Sequence, residues 1–215
     1  YYNNISVQEN VEDKPLSLLD PFVQGLSTIP TLTDVIIKGD VSNPMEGSLG
    51  TLQSSSLGNL CRAPRLASLY LFLFVLSDDN VTSMAQALQD ESCLVQELCI
   101  NCTLGLQGSR ALSNMLRKNT TLREFILIIT CYDDTVDDVD AEIARGLADS
   151  SSLREFLFQG GPGEISRASL QQFRDTMVTN YVLEKLCLRS GGSPANQLLE
   201  AEIQKIMTHF TSHGM

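Results

Sequence analysis

Apolar residues recur along this chain in a pattern that repeats about every thirty residues. Each copy has an apolar residue, two variable residues, a second apolar residue, one variable residue and a third apolar residue. Six copies occur, at 32–37, 66–71, 95–100, 122–127, 153–158 and 183–188. Each copy ends in the alternation typical of a strand with one buried face. A fixed period of this size indicates stacked units that share one core.

A helix is predicted upstream of each strand. In the clearest example, Leu112, Met115 and Leu116 have the i, i+3, i+4 spacing of one buried helix face. An apolar residue also lies six or seven positions before each strand pattern, at Leu26, Leu60, Leu88, Leu116, Leu147 and Met177. Acidic or hydroxyl residues, which suit the positive start of a helix, lead three helical segments: Asp78-Asp79, Asp137-Asp138 and Ser166. Each unit is therefore a strand, a loop, a helix and a turn.

The segment Gly108–Phe125 resembles one repeat of the leucine-rich repeat family, of the longer ribonuclease-inhibitor-like subtype, and 153–183 resembles a second copy. The resemblance covers about residues 22–190. It implies an α/β solenoid, or horseshoe, with a parallel sheet on the concave face and helices on the convex face. The family usually carries Asn or Cys three positions after the last strand residue. This chain departs from it there, so the family's side-chain ladder should be absent or replaced at Thr103, Thr130, Gly161 and Gly191.

The pattern also divides the chain into three parts. Residues 1–21 are predicted to be an N-terminal cap or extension, 22–190 the repeats with about six strands, and 191–215 a C-terminal capping helix and tail. End repeats need caps because their core edges would otherwise face water. The C-terminal helix is expected from about Ala195 to Phe210. Its apolar side would be formed by Leu198, Ile203, Ile206 and Phe210.

Composition narrows the possible partners. The chain has 215 residues and a net charge of −11. That charge argues against nucleic acid, whose phosphates it would repel. It favours a protein partner with a basic surface, or it serves solubility alone. No apolar run is long enough to span a membrane; the longest, Ser68–Leu76, is predicted to be a buried strand.

The sequence offers no candidate active site. Only two histidines occur, His209 and His213, and both follow the last repeat, so the repeats lack the base that a catalytic triad needs. Cys99 and Cys102 have the spacing of a zinc motif, but no second pair follows them. The acidic segment Asp133–Asp140 could hold calcium or open a helix, and the helix start is favoured because it lacks the pattern of a calcium loop. We therefore predict no enzyme, no cofactor and no metal.

The cellular compartment stays open. Two cysteine pairs fall in matching loops of neighbouring repeats and could form disulfides, Cys61 with Cys93 and Cys102 with Cys131. A secretory or luminal location is weakly favoured by four glycosylation sequons, and a cytoplasmic location is equally compatible. The sequons are at Asn4, Asn80, Asn101 and Asn119.

Alternate strand residues are expected to point to the concave face. Their middle positions are all apolar or thiol residues: Ile36, Tyr70, Cys99, Ile126, Leu157 and Cys187. Two residues earlier, the same face should carry Asp34, Ser68, Glu97, Glu124, Glu155 and Lys185. An apolar stripe in this position marks an interaction site more often than it marks strand propensity alone. The predicted partner-binding residues are Tyr70, Glu97, Cys99, Glu124, Ile126, Glu155, Leu157 and Lys185.

These features predict a non-enzymatic protein-binding module, a recognition or scaffold subunit that uses its concave sheet. One alternative is a structural subunit buried permanently in a larger assembly. Another is the sensor part of a receptor, although nothing before Leu32 resembles a nucleotide-binding domain.

Overall fold

A computed structural model of the chain describes residues 4–8, 19–38, 53–133, 136–161 and 165–189. Within these ranges, seven strands alternate with six helices. The strands are β1 (Asn4–Gln8), β2 (Asp34–Lys38), β3 (Ser68–Leu76), β4 (Glu97–Leu104), β5 (Glu124–Tyr132), β6 (Glu155–Gln159) and β7 (Lys185–Arg189). The helices are α1 (Leu19–Ser27), α2 (Ser54–Cys61), α3 (Asp78–Leu88), α4 (Leu106–Lys118), α5 (Val136–Ala148) and α6 (Arg167–Thr179).

The strands form one parallel sheet in chain order, from β1 to β7. Between each strand and the next lies one described helix, and successive helices pack against one another from α1 to α6. The predicted α/β architecture with a parallel sheet is confirmed, and the fold is leucine-rich-repeat-like. The six predicted strand patterns correspond to β2 through β7.

The first strand was not predicted. The sheet register pairs Ile5 with Val35 and Val7 with Ile37, so Tyr2 occupies the sequence position that corresponds to Leu32. The repeat pattern therefore begins earlier than expected, and a tyrosine at its first position hides it. As a result, the segment assigned to an N-terminal cap contains a strand of the sheet. The predicted C-terminal capping helix lies outside the described residues.

The core lies between the sheet and the helices. In β2 to β7 the second and third apolar residues of each repeat pattern are at most 7% exposed: Val35, Ile37, Leu69, Leu71, Leu98, Ile100, Phe125, Leu127, Phe156, Phe158, Leu186 and Leu188. The apolar residues predicted to anchor the helices are at most 4% exposed: Leu26, Leu60, Leu88, Leu116, Leu147 and Met177. These strand and helix residues belong to one cluster. Both predicted periodicities, two for the strands and 3.6 for the helices, are thus confirmed.

Buried asparagines connect neighbouring repeats where helices turn into strands. The Asn119 side chain donates a hydrogen bond to the Leu88 carbonyl oxygen at 2.6 Å and accepts one from the Leu122 backbone at 2.6 Å. Asn180 makes the equivalent bonds two repeats later, to the Leu147 carbonyl oxygen and from the Leu183 backbone at 2.9 Å. Such bonds matter because an unpaired buried backbone group destabilises the fold. The family resemblance predicts a side-chain ladder after the strands, whereas these asparagines lie before them, so the sequence did not indicate their role.

At that other end, the family's ladder is replaced at one of the expected positions. The Thr130 hydroxyl donates to the Cys102 carbonyl oxygen of the preceding repeat at 3.0 Å. Helix starts are linked between repeats as well. The Asp78 carboxylate accepts hydrogen bonds from the backbone of Gly105 at 2.7 Å and Gly108 at 3.0 Å, at the start of α4. A carboxylate is favoured there because the start of a helix is positive.

Candidate protein-binding surface

One face of the sheet carries side chains that do not belong to the core, and we call it the open face. Its side chains come from alternate residues of β2 to β7 and form rows that cross the strands. The acidic row consists of Asp34, Ser68, Glu97, Glu124, Glu155 and Lys185. The middle row consists of Ile36, Tyr70, Cys99, Ile126, Leu157 and Cys187. A third row contains Asn101, Ile128 and Gln159.

The strand register brings the three predicted glutamates together. Glu97 pairs with Glu124, and Glu124 pairs with Glu155, on three successive strands. Neighbouring strands are about 4.8 Å apart, so the carboxylates are close enough to repel one another. Local partners for some of these carboxylates are therefore expected.

Two of the three glutamates have such partners. The Tyr70 hydroxyl donates a hydrogen bond to the Glu97 carboxylate. The Lys185 ammonium donates to Glu155 Oε2 at 2.7 Å. Glu124 is exposed, and its carboxylate makes no hydrogen bond or ion pair with another described residue. Within the described part of the chain, Glu124 is the member of this trio left for a partner.

The environment of Tyr70 and Lys185 raises the pKa of both groups further above neutral pH. The pKa of Tyr70 is raised above its usual value by burial, by its hydrogen bond to Glu97 and by the charges of Glu97 and Glu124. The pKa of Lys185 is raised by its hydrogen bond to Glu155 and by the negative charges of Glu155 and Glu124. Tyr70 therefore stays a donor and Lys185 stays a cation.

Cys99 corrects the prediction that the whole middle row is accessible. It has the predicted register, between Tyr70 and Ile126, but its side chain is fully buried. Its two neighbours in the row are much larger, and Tyr70 reaches toward β4 to bond Glu97. Burial also raises the pKa of the Cys99 thiol to about 11, so it stays protonated. In the free chain, Cys99 has no surface to offer a partner, whereas Tyr70, Ile126 and Leu157 are half-buried.

A bulge in β3 adds an aromatic residue that was missed. Pairing between β3 and β4 stops at Leu71 with Ile100 and resumes at Val75 with Asn101, so three residues of β3 have no partner in β4. Phe72 is one of them, and its ring stacks on that of Tyr70 with centroids 5.8 Å apart. Bulges are designed features that redirect side chains. The signal in the sequence is the length of the apolar run, which exceeds that of the other strand patterns.

The candidate chemical sites have structural explanations in the described part of the chain. No group of three or more His, Cys, Asp or Glu residues there is arranged to hold a metal ion. Asp137 and Asp138 lie in the first turn of α5, as the helix-start interpretation predicts. His209 and His213 lie outside the described residues. None of the described helices has both the length and the apolar character needed to cross a membrane.

All six cysteines are free thiols, so the two candidate disulfides are not formed in this structure. The Cys93 thiol instead donates to the Cys61 carbonyl oxygen at 3.3 Å. Two sequons are also inaccessible, because Asn80 is 3% exposed and Asn119 is 4% exposed. A folded chain has no room for a glycan at either position. These two sequons therefore give no support to a secretory route.

Comparison with known proteins supports the fold. No family model matches the chain, and no curated protein matches it. Among solved structures, it is similar to "Leiomodin-1 Actin-Binding Site 2 (ABS2)", with a TM-score of 0.56, 14% identity, and coverage of 74% of this chain and 88% of that one. It is also similar to a tropomodulin C-terminal domain from Caenorhabditis elegans, with a TM-score of 0.50, 12% identity, and coverage of 74% and 96%. At these identities the likeness shows the fold alone.

Proposed function

We propose that this chain is a non-enzymatic protein-binding module, a recognition or scaffold subunit that binds its partner on the open face of the sheet. The observation that carries the proposal is the row of half-buried apolar side chains on a face that the described helices leave uncovered. Tyr70, Ile126 and Leu157 lie there and do not belong to the core cluster. An apolar patch of this kind, rimmed by charge, is typical of an interaction site.

In this proposal the sheet curves as a horseshoe of the ribonuclease-inhibitor-like subtype, and the open face is its concave side. Helices are wider than strands, so a layer of helices outside a parallel sheet favours such curvature. The aromatic and aliphatic side chains of the middle row act as anchors, and the acidic row selects basic groups of the partner. Interface energy usually concentrates in a few central anchors, while charges at the rim govern specificity and association rate. The net charge of −11 favours a basic protein and disfavours nucleic acid.

Actin is the first protein to assay, because the similar leiomodin-1 structure is an actin-binding site. Co-sedimentation of the full chain with actin filaments tests it directly. The proposal concerns the open face and does not depend on actin. A negative result with actin would therefore exclude actin as the partner and not the open face as the binding surface.

The surface itself is tested by photo-crosslinking. A photoreactive phenylalanine analogue replaces Ile126 on the open face in one variant and Gln107, which is exposed on α4, in a matched variant. We expect a discrete crosslinked partner from position 126 and none from position 107 in extracts of the source cells. The reverse pattern would refute the open face as the binding surface. Size-exclusion chromatography then separates the two classes of function, because a stable monomer indicates a transient binder and aggregation indicates an obligate subunit.

Substitutions at two neighbouring residues of β5 should affect partner binding and folding separately. Glu124→Lys should weaken partner binding and flatten its salt dependence, while leaving the free energy of unfolding nearly unchanged because the side chain is exposed. Phe125→Ala should lower the free energy of unfolding by about 3–5 kcal/mol, because Phe125 is 1% exposed and packs on Phe156. Affinity by calorimetry and stability by urea unfolding measure the two effects. Unchanged affinity in Glu124→Lys, together with loss of binding in variants of the helices, would contradict the proposal.

A further inference from the structure

The rows of the open face define a direction for any segment seated on it. They cross the strands, so their side chains follow one another at the strand spacing of about 4.8 Å. The middle row supplies apolar contacts at Tyr70, Ile126 and Leu157. A segment that contacts several of these residues must therefore lie across the strands, and not along them.

Strand spacing favours a helix as that segment. Same-face side chains of a helix recur about every 5.4 Å along its axis, whereas those of an extended chain recur about every 6.6 Å. Across neighbouring strands, a helix therefore drifts from the row by about 0.6 Å per contact and an extended chain by about 1.8 Å. Over three or four strands, the helix keeps its apolar contacts in register and the extended chain loses them.

The acidic row determines what the side of such a helix must carry. The acidic row lies two residues before the middle row on each strand, a separation of about 7 Å, and a helix is about 10 Å wide. A helix centred on the middle row extends about 5 Å to each side, so only a long lysine or arginine side chain on its flank can reach the acidic row. Glu97 is already bonded by Tyr70 and Glu155 by Lys185, whereas Glu124 has no bonding partner among the described residues. Tyr70 is neutral and leaves the charge of Glu97 uncompensated, so charge complementarity calls for a cation beside Glu97 and Glu124, and Glu124 is the one without a hydrogen-bond donor among the described residues.

We propose that the partner presents an amphipathic helix, which lies across β3 to β6 with its apolar stripe on Tyr70, Ile126 and Leu157 and a lysine or arginine of its flank at Glu124. This inference depends on the function proposed above and specifies the partner element. The ring of Phe72 stacks on that of Tyr70 and extends the apolar surface at the β3 end of the helix site. Lys185 limits the basic flank at the other end, because a second cation placed there would be repelled.

Two synthetic peptides of identical composition test the helix. Both contain only leucine and lysine, have blocked ends and are about fourteen residues long, which as a helix spans about four strands. One has its leucines at helical spacing, and the other alternates leucine with lysine. Each is titrated into the ¹⁵N-labelled full chain, and the shifts of backbone amide resonances are mapped.

We expect the helical-period peptide to bind, with the largest shifts at open-face residues of β3 to β6. The alternating peptide should bind at least about threefold more weakly, because its contacts drift out of register. Glu124→Gln should raise the dissociation constant of the helical-period peptide about threefold, as expected for one exposed ion pair. Glu91→Gln removes the same charge from an exposed turn outside the open face and should leave the constant unchanged.

Three outcomes overturn this inference without refuting the proposed function. They are equal or tighter binding of the alternating peptide, equal losses in Glu124→Gln and Glu91→Gln, and no binding of either peptide. Nuclear Overhauser contacts between Ile126 methyl groups and another segment of the same free chain would also overturn it, because the occupant would then be internal. Shifts confined to the helices would count against the proposed function as well, and the crosslinking at positions 126 and 107 checks that result independently.

Discussion

Asp140 is a carboxylate held in an unfavourable environment. It is fully buried in α5, its Oδ1 accepts a hydrogen bond from the Tyr132 hydroxyl at 3.2 Å, and its Oδ2 has no partner among the described residues. Burial raises its pKa to about 6, the nearby Ser169 and Tyr132 hydroxyls partly offset this rise, and the charge of Asp137 adds to it. The folded chain therefore favours the protonated acid, whereas an unfolded aspartate ionises near pH 4.

The sign of the pH dependence follows from this shift. Because the folded pKa lies above the unfolded one, the stabilising contribution is present below about pH 4 and is lost as pH rises to about 6. Asp140→Asn should raise the free energy of unfolding by about 1–2 kcal/mol at pH 7.5 and change it little at pH 4, because the amide stays neutral. Urea unfolding at both pH values measures this, with the exposed Asp79→Asn as a control. A gain of equal size at both pH values would show that ionisation is not the cause.

The backbones of α4 and α5 approach each other closely at Gly146. A methyl group added at Gly146 of α5 would lie 2.6 Å from Ser113 Cα and 2.9 Å from the Ser113 carbonyl oxygen of α4. Backbone atoms of a packed helix cannot move aside as a flexible side chain does. Glycine is therefore required here by packing between two elements, although it is a poor residue for the interior of a helix.

Two alanine substitutions separate packing from helix propensity. Gly146→Ala should lower the free energy of unfolding by about 1–3 kcal/mol, because α4 and α5 must separate. Gly25→Ala in α1 meets no atom within 4 Å and should raise it by about 0.5–1 kcal/mol, as propensity alone predicts. Thermal and urea unfolding of both variants measure the difference. Equal effects in the two variants would mean that α4 and α5 are not in close contact.

At the scale of the whole molecule, the described strands and helices form an ordered stack in which each contacts its sequence neighbours. Central units are supported on both sides, whereas β1 and β7 pair on one side within the described sheet. We expect amide hydrogen exchange to be slowest in β4 and β5 and fastest in β1 and β7, because local opening begins at strands with a single pairing partner, as β1 and β7 have among the described residues. Exchange measured by mass spectrometry tests this order. Uniform protection along the chain would indicate that the stack unfolds only as a whole.

Sequence alone determined the units and their inner faces. The spacing of Leu122, Phe125 and Leu127 placed a strand and its buried side correctly, because alternation along a strand is local and one slip would expose the whole apolar set. The same reasoning aligned Glu97, Glu124 and Glu155, since equal repeats put equivalent positions side by side. It missed β1 because Tyr2 stands at a leucine position.

Tertiary structure decided what neighbouring repeats do to each other. Cys99 shares its register with half-buried residues yet is fully buried, and the large side chain of Tyr70 beside it is directed toward the next strand by its bond to Glu97. The β3 bulge and the asparagine bonds at Asn119 and Asn180 also depend on a partner about thirty residues away in sequence. The period of the apolar residues shows which side of a helix or strand is buried. It does not show which side chain packs over which neighbouring side chain. That assignment depends on contacts between elements, and it leaves Glu124 as the exposed carboxylate of its row.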